Sequence, residues 1–286
     1  MRRLYISLFF LVGGLLLNLT YAQQILPAGT SADVINYADV NPCRVRHIAT
    51  TLGVGYLNEY DSYLSPWEYE GVEFRLHQEL YRDLSWQGGN RWAFQRILQG
   101  RIGYSESPAE DNITASLLLS AQWGLLHKWL LSPKWQVMGG ATGELQLGGL
   151  YNMRNGNNPG SLRLGIHLNA SGMTSYDFSM WNYPLRASYS IQIPVVGCVF
   201  APHYGESYYE IFTVDGHDFP TSMTWMGNHP SCTQRFSIDV PFMKTTWRFS
   251  YLMDIQQSRL HDLESHSYSH LFMVGCVVDL YSLIKR

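Results

Sequence analysis

Residues 69–82 alternate between charge and apolarity with a period of two. Val72, Phe74, Leu76 and Leu80 fall on one side, and Glu73, Arg75, His77 and Glu79 on the other. Successive side chains of a strand point to opposite faces, so this stretch reads as a strand with one oily and one ionic face. Nothing after residue 22 is long and apolar enough to cross a membrane as a helix. Repeated around a closed sheet, the pattern suits a barrel with lipid outside and a polar interior.

The pattern recurs. Residues 45–57 place Ile48, Leu52, Val54 and Tyr56 opposite His47, Ala49, Thr51, Gly53 and Gly55. Residues 113–125 oppose Leu117, Leu119 and Trp123 to Ser116, Ser120 and Gln122, and 135–148 oppose Leu145 and Leu147 to Thr142, Glu144 and Gln146. In 160–172, Leu164, Ile166 and Leu168 oppose Arg163, His167, Asn169 and Ser171; in 184–198, Tyr189 and Ile191 oppose Arg186 and Ser188. Segments 93–105, 234–242, 245–257 and 268–281 complete the set. The expectation is an all-β, antiparallel transmembrane β-barrel of the outer-membrane type with ten strands, each near the ~9–11 residues a tilted span needs. A further strand at 207–214 with a partner would make twelve. A secreted β-sandwich is the competing fold, and it would need a second apolar layer over all these oily faces.

Residues 1–22 carry the three parts of a cleaved signal peptide: Arg2 and Arg3, an apolar core from Leu4 to Leu17, and Thr20-Tyr21-Ala22. Residues 23–43 read as an N-terminal extension, tucked under or into the barrel, and residues 44–286 as the barrel. Without the signal, 18 basic residues face 23 acidic ones, which excludes the clustered basic excess of a nucleic-acid binder. The expected location is the cell outer membrane.

With both ends on the periplasmic side, loops 58–68, 106–112, 149–159, 199–233 and 258–267 face outward, and connections 83–92, 126–134, 177–183 and 243–244 face inward. The loop 199–233 spans 35 residues, a length that is uncommon without a function. Its segment Tyr204, Glu206, Tyr208, Tyr209 and Glu210 is the candidate surface for an external ligand or partner. Cys198 and Cys232 stand at the feet of this loop and are the candidate disulfide; Cys276 shares the face of Val274 and Val278 and reads as a lipid-facing wall residue. Histidines and acids of the outer loops, including His203, His229, His261 and Glu264, show no metal-ligand spacing. No cofactor or metal site is expected.

Inside, Glu73, Arg75, Glu79, Arg101, Glu144, Arg163, His167, Asn169 and Arg186 form the expected lumenal polar network, because charges confined in a narrow barrel should pair. His167, Asn169 and Ser171 share one face of one strand and invite a hydrolase reading. At ~3.3 Å per residue, His167 and Ser171 are roughly 13 Å apart, too far for a nucleophile and its base.

Three stretches resemble an uncharacterised family of bacterial outer-membrane β-barrels: Asp61–Gly71 (DSYLSPWEYEG), Asn155–Pro159 (NGNNP) and Phe200–Phe212 (FAPHYGESYYEIF). The resemblance spans about residues 44–281; it implies the fold and location, and no activity. It also implies outer-membrane lipid and the barrel-assembly machinery as partners. Such barrels usually end on an aromatic residue, whereas here Tyr281 is followed by five more residues. The functional expectation is a non-enzymatic barrel with a side-chain-filled lumen and partner-facing outer loops. The alternatives are a narrow small-solute channel and a lipid-active hydrolase or acyltransferase.

Overall fold

The structure is a computed structural model, and it describes residues 44–86, 89–156, 158–181, 183–213, 219–242 and 245–282. The expected signal and extension, residues 1–43, lie outside these. The strands are β1 (Arg44–Asp61), β2 (Tyr69–Trp86), β3 (Gly89–Glu106), β4 (Ile113–Ser132), β5 (Trp135–Asn152) and β6 (Gly160–Met180), then β7 (Tyr183–Phe200), β8 (Thr221–Trp225), β9 (Cys232–Phe242), β10 (Thr245–Leu260) and β11 (Leu263–Ser282). Each pairs antiparallel with its neighbour, β6 with β7 and β7 with β9, and β1 closes on β11 from Arg44↔Ser282 to Asp61↔Ser265. The result is a closed ten-stranded antiparallel barrel of the outer-membrane type. Closure pairs the strands into a ring, as a lipid environment, which penalises open backbone edges, requires.

β8 is the eleventh strand, yet it adds no position to the ring. It pairs with Val196–Phe200 of β7, while β9 pairs with Arg186–Gln192 of the same strand. β8 and β9 are thus two parts of one barrel position, separated by the excursion Met226–Ser231. The interruption starts where β7 is bulged: Asn169 faces Pro194 and Leu168 faces Val196, which leaves Val195 as the extra residue. Proline lacks the N–H a ladder needs and is tolerated at such bulges.

Several expectations are corrected here. Within the segment 207–214, Tyr208–Thr213 form one helical turn and a half, α1, in place of a strand. The strands exceed the expected spans, with 18 residues in β1, β2, β3, β5 and β7. Bilayer thickness limits only the apolar band; backbone pairing continues beyond it until a turn intervenes. Connections 83–92, 126–134 and 177–183 therefore shrink to the residues 87–88, 133–134 and 181–182 between strands, and 258–267 shrinks likewise, where only His261 and Asp262 separate β10 from β11. Both have positive φ, 49° and 63°, as a two-residue hairpin twisted to match its strands requires.

The face assignment follows the period-two reading. Phe74, Ile102, Leu117, Leu119, Leu147, Ile166, Phe249 and Phe272 are exposed on the outer wall. Aromatic residues edge it at both ends: Trp92, Trp129, Trp135 and Tyr183 at the turn end, and Tyr56, Tyr104, Tyr151 and Trp225 at the loop end. Inside, Glu73 and Glu79 are 0% and 1% exposed. A small apolar floor of Tyr81, Ala93, Leu126 and Met138 lies on the lumenal side near the turn end.

Candidate functional site

The lumen is the site that the strands build. Near the turn end, Glu79 of β2 is bonded by Arg235 of β9 and lies 3.3 Å from Arg248 of β10, which forks onto Asp239 at 2.6 and 2.7 Å. Tyr81 donates to Glu79 at 2.5 Å, and Gln95 donates to Tyr81 at 2.7 Å. Arg235 also contacts His77. β2 and β9 are four places apart in a ring of ten, so the Glu79–Arg235 pair reaches nearly across the barrel.

A second cluster lies above it. Arg75 bonds Glu73 at 2.5 Å and Asp254 at 2.8 Å; Arg101 bonds Glu59 at 3.3 Å and Ser267 at 3.0 Å. Towards the loop end, Arg163 pairs with Asp61 at 2.8 Å and Ser265 at 2.9 Å. Stripping water from an ion costs several kcal/mol, and only well-formed pairs and hydrogen bonds repay it.

Of the expected network, Glu73, Arg75, Glu79, Arg101 and Arg163 are joined in these pairs. Glu144 and Asn169 bond each other at 2.7 Å. His167 stacks on His229, with ring centroids 5.2 Å apart, and Ser171 bonds Thr142 at 2.8 Å. The three residues of the hydrolase reading thus face three different partners. Arg186 lies at the turn-end mouth of the lumen, half-exposed and forked onto Asp177 at 2.6 and 3.1 Å, and lines one cavity with Tyr81 and Asp239. The sequence reading placed Glu59 and Asp61 in a loop, although they continue the inward parity of Ala49 and Thr51. No group of three histidine, cysteine or acidic side chains placed to hold a metal occurs among the described residues.

The loop end is roofed by the segment after β7. Leu162 N–H donates to Tyr208 Oη at 2.6 Å, Tyr63 Oη donates to the Glu206 carbonyl at 2.9 Å, and Tyr63 meets Tyr208 edge-on at 5.4 Å. Burial pushes the Tyr63 hydroxyl up to about 12, so it remains a donor. Ser207 and Glu210 cap α1 reciprocally: Glu210 accepts from Ser207 N–H at 2.8 Å, and Ser207 Oγ accepts from Glu210 N–H at 3.2 Å. Glu206 accepts from His203 N–H at 2.8 Å. Within the expected recognition segment, Tyr208 therefore holds the roof, Glu206 and Glu210 fold it, and Tyr204 and Tyr209 point outward, 76% and 74% exposed.

The excursion Met226–Ser231 enters the wall beside the roof. Asn228 closes it by accepting from Trp225 N–H at 2.8 Å and donating to the Met223 carbonyl at 2.9 Å. A Cβ at Gly227 would meet the Trp225 ring, so a larger residue there would have to displace that indole. His229 turns inward, and burial with Arg163 and His167 nearby holds its imidazole down to about 4. Between roof and ion clusters lies a cavity of about 100 Å³ lined by Glu59, Arg101, Arg163, His229 and Gln256.

The expected disulfide is absent. Cys198 and Cys232 are free thiols. Cys198 faces Met223 and Ile166, whereas Cys232 faces Ile255 and continues the β7–β9 register opposite Ile193. Five residues of β7 separate the two positions, roughly 16 Å at ~3.3 Å per residue, against the 4.4–6.8 Å a bridge requires. The β8 segment, by taking the upper part of β7, creates the offset.

Among curated proteins, none matches this sequence. Several solved structures are similar. An outer membrane channel from Pseudomonas putida F1 has 10% identity and a TM-score of 0.40 over 87% of this chain and 100% of that one. The outer membrane protease OmpT from Escherichia coli has 6% identity and a TM-score of 0.46 over 85% and 99%. The translocator domain of the autotransporter NalP from Neisseria meningitidis has 12% identity and a TM-score of 0.35 over 87% and 92%. A channel, a protease and a translocator share no activity, and none is carried over. The family described as "Protein of unknown function (DUF3316)" matches residues 6–286, and the chain belongs to it.

Proposed function

We propose that this is a non-enzymatic outer-membrane barrel with a sealed lumen, whose working surface is its roofed outer end. A predominantly apolar outer wall edged by aromatics supports residence in the outer membrane, with lipid as its solvent and the barrel-assembly machinery as the route of insertion. The single observation that carries the reading is the Glu79–Arg235 pair, locked by Arg248 and Asp239, which occupies the lumen nearly from wall to wall. A channel needs a continuous hydrated path, and here the ionic groups that would line one are spent on each other. The turn strands then face the periplasm, and Tyr204 and Tyr209 are offered outward to an external partner. Liposomes containing the refolded chain should release a trapped small sugar no faster than empty liposomes. Faster, size-limited release would establish the small-solute channel instead.

A further inference from the structure

Arg75, Arg101, Arg163, Arg235 and Arg248 of the lumen each hold a carboxylate. Arg82 of β2 and Arg96 of β3 hold none among the described residues, and both have the outward parity of the lipid-facing wall. Arg82 lies over the Phe94 ring, 5.9 Å from its centroid, and Arg96 donates to the Gln78 side-chain carbonyl at 3.1 Å. In each, the Nε–H is enclosed against the wall without a hydrogen-bond partner. A third arginine, Arg46, stands opposite Arg82 in the β1–β2 register. Charge on the lipid face of a barrel is costly at the bilayer midplane and nearly free at the interface.

These arginines stand toward the turn end. The Arg82–Phe94 pair is one outward-facing step in from the Leu84–Trp92 pair, and Leu80–Arg96 is one step further. Trp92 belongs to the aromatic edge, so the stems lie on apolar wall while the heads reach toward headgroup level, as snorkelling arginines do. Arg82 and Arg96 are diagonal cross-strand neighbours, whose Cα atoms are ~7–8 Å apart, within reach of long side chains. A polar row holds the site: Gln78 accepts from Arg96 and donates to Thr50 Oγ1 at 3.4 Å, joining three strands on the lipid side. The strand carboxylates of outward parity among the described residues, Glu70, Glu106 and Glu264, stand at the loop end. A second copy of the barrel alongside in the same orientation therefore offers these arginines no acid.

We propose that Arg82 and Arg96 bind the phosphate of an anionic phospholipid in the turn-end leaflet, of which phosphatidylglycerol is the type. The site rests on the outer-membrane placement in the proposed function and not on the sealed lumen. Guanidinium and phosphate form strong charge-assisted hydrogen bonds, and the lipid phosphate supplies the counter-charge that the wall lacks. Leu80, Phe94 and Leu98 flank the arginines with the same outward parity, which gives acyl chains a surface that a free phosphate ion would not use. Two cations without an acid favour a headgroup of net negative charge over a zwitterionic one, whose own ammonium already neutralises its phosphate.

The test is native mass spectrometry of the refolded full chain in a non-ionic detergent, offered equal amounts of phosphatidylglycerol and phosphatidylcholine with the same acyl chains. The two lipids share the phosphodiester and differ in net charge. The wild type should retain phosphatidylglycerol in excess, and the double variant Arg82→Gln/Arg96→Gln should lose that excess while keeping heat-modifiable migration in gels. Should the double variant fail to refold, Arg82→Gln alone decides the matter, because the contact it gives up is the Phe94 ring. Equal retention of the two lipids by the wild type would overturn the site, and so would an excess that the variants leave intact. Displacement of the lipid by sodium phosphate, but not by sodium chloride of the same ionic strength, would overturn the lipid assignment in favour of free phosphate. Sugar release from liposomes tests the sealed lumen separately: a leaky barrel that still prefers phosphatidylglycerol would overturn that reading and uphold this one.

Discussion

Glu79, 1% exposed, accepts from two arginines, a tyrosine and a glutamine. Replacing it by alanine strands Arg235, whose remaining contact is His77, and weakens the hold on Arg248. Removing one member of a buried ion pair costs about 3–5 kcal/mol, and Glu79→Ala should lower the urea unfolding free energy of the refolded barrel by that order. On the outer wall the cost has another origin. Arginine at Leu119 or Ile166 should cost about 2–4 kcal/mol near the bilayer midplane, as measured by the folding equilibrium in lipid vesicles. These residues were legible because parity alone assigns a side chain to lipid or lumen. Pairing was not legible, since Glu79 meets Arg235 across 156 residues of chain. Arg186 shows the limit: its parity is inward, but its height on the strand puts it at the mouth with Asp177.

At the scale of elements, the sequence contained one signal that the period-two reading overrode. Ser207 and Glu210 have the spacing of a capping box, and this starts a helical turn despite the β-prone Tyr-Tyr-Glu-Ile-Phe run. The excursion Met226–Ser231 was not legible, because nothing local says that β8 and β9 share one place on β7. Its consequence is measurable. His229 titrates near 6.5 when exposed and at about 4 in the fold, so the open form binds more protons between these values. The excursion should be fully held above pH 6.5 and progressively released as pH falls toward 4. Hydrogen exchange of the amides in 226–231, corrected for intrinsic rates, should show more opening at pH 5 than at pH 7.5. His229→Gln should remove that difference; an unchanged dependence would mean that another group is responsible.

For the whole molecule, ten-strand closure was readable from the number of alternating segments, and the ionic character of the lumen from the charge on their inner faces. The missing disulfide and the roof were not, because both depend on how strands are offset around the ring. The central claim is that side-chain ion pairs, rather than water, occupy the middle of the barrel. Planar-bilayer recording tests it most directly, comparing the wild-type chain with a variant in which Glu79, Arg235, Arg248 and Asp239 are all replaced by serine. The expected result is no resolvable conductance steps from the wild type and small, regular steps from the variant once the pairs are gone. Steady steps of equal size from both proteins would contradict the account, because the lumen would then conduct with the ion cluster in place.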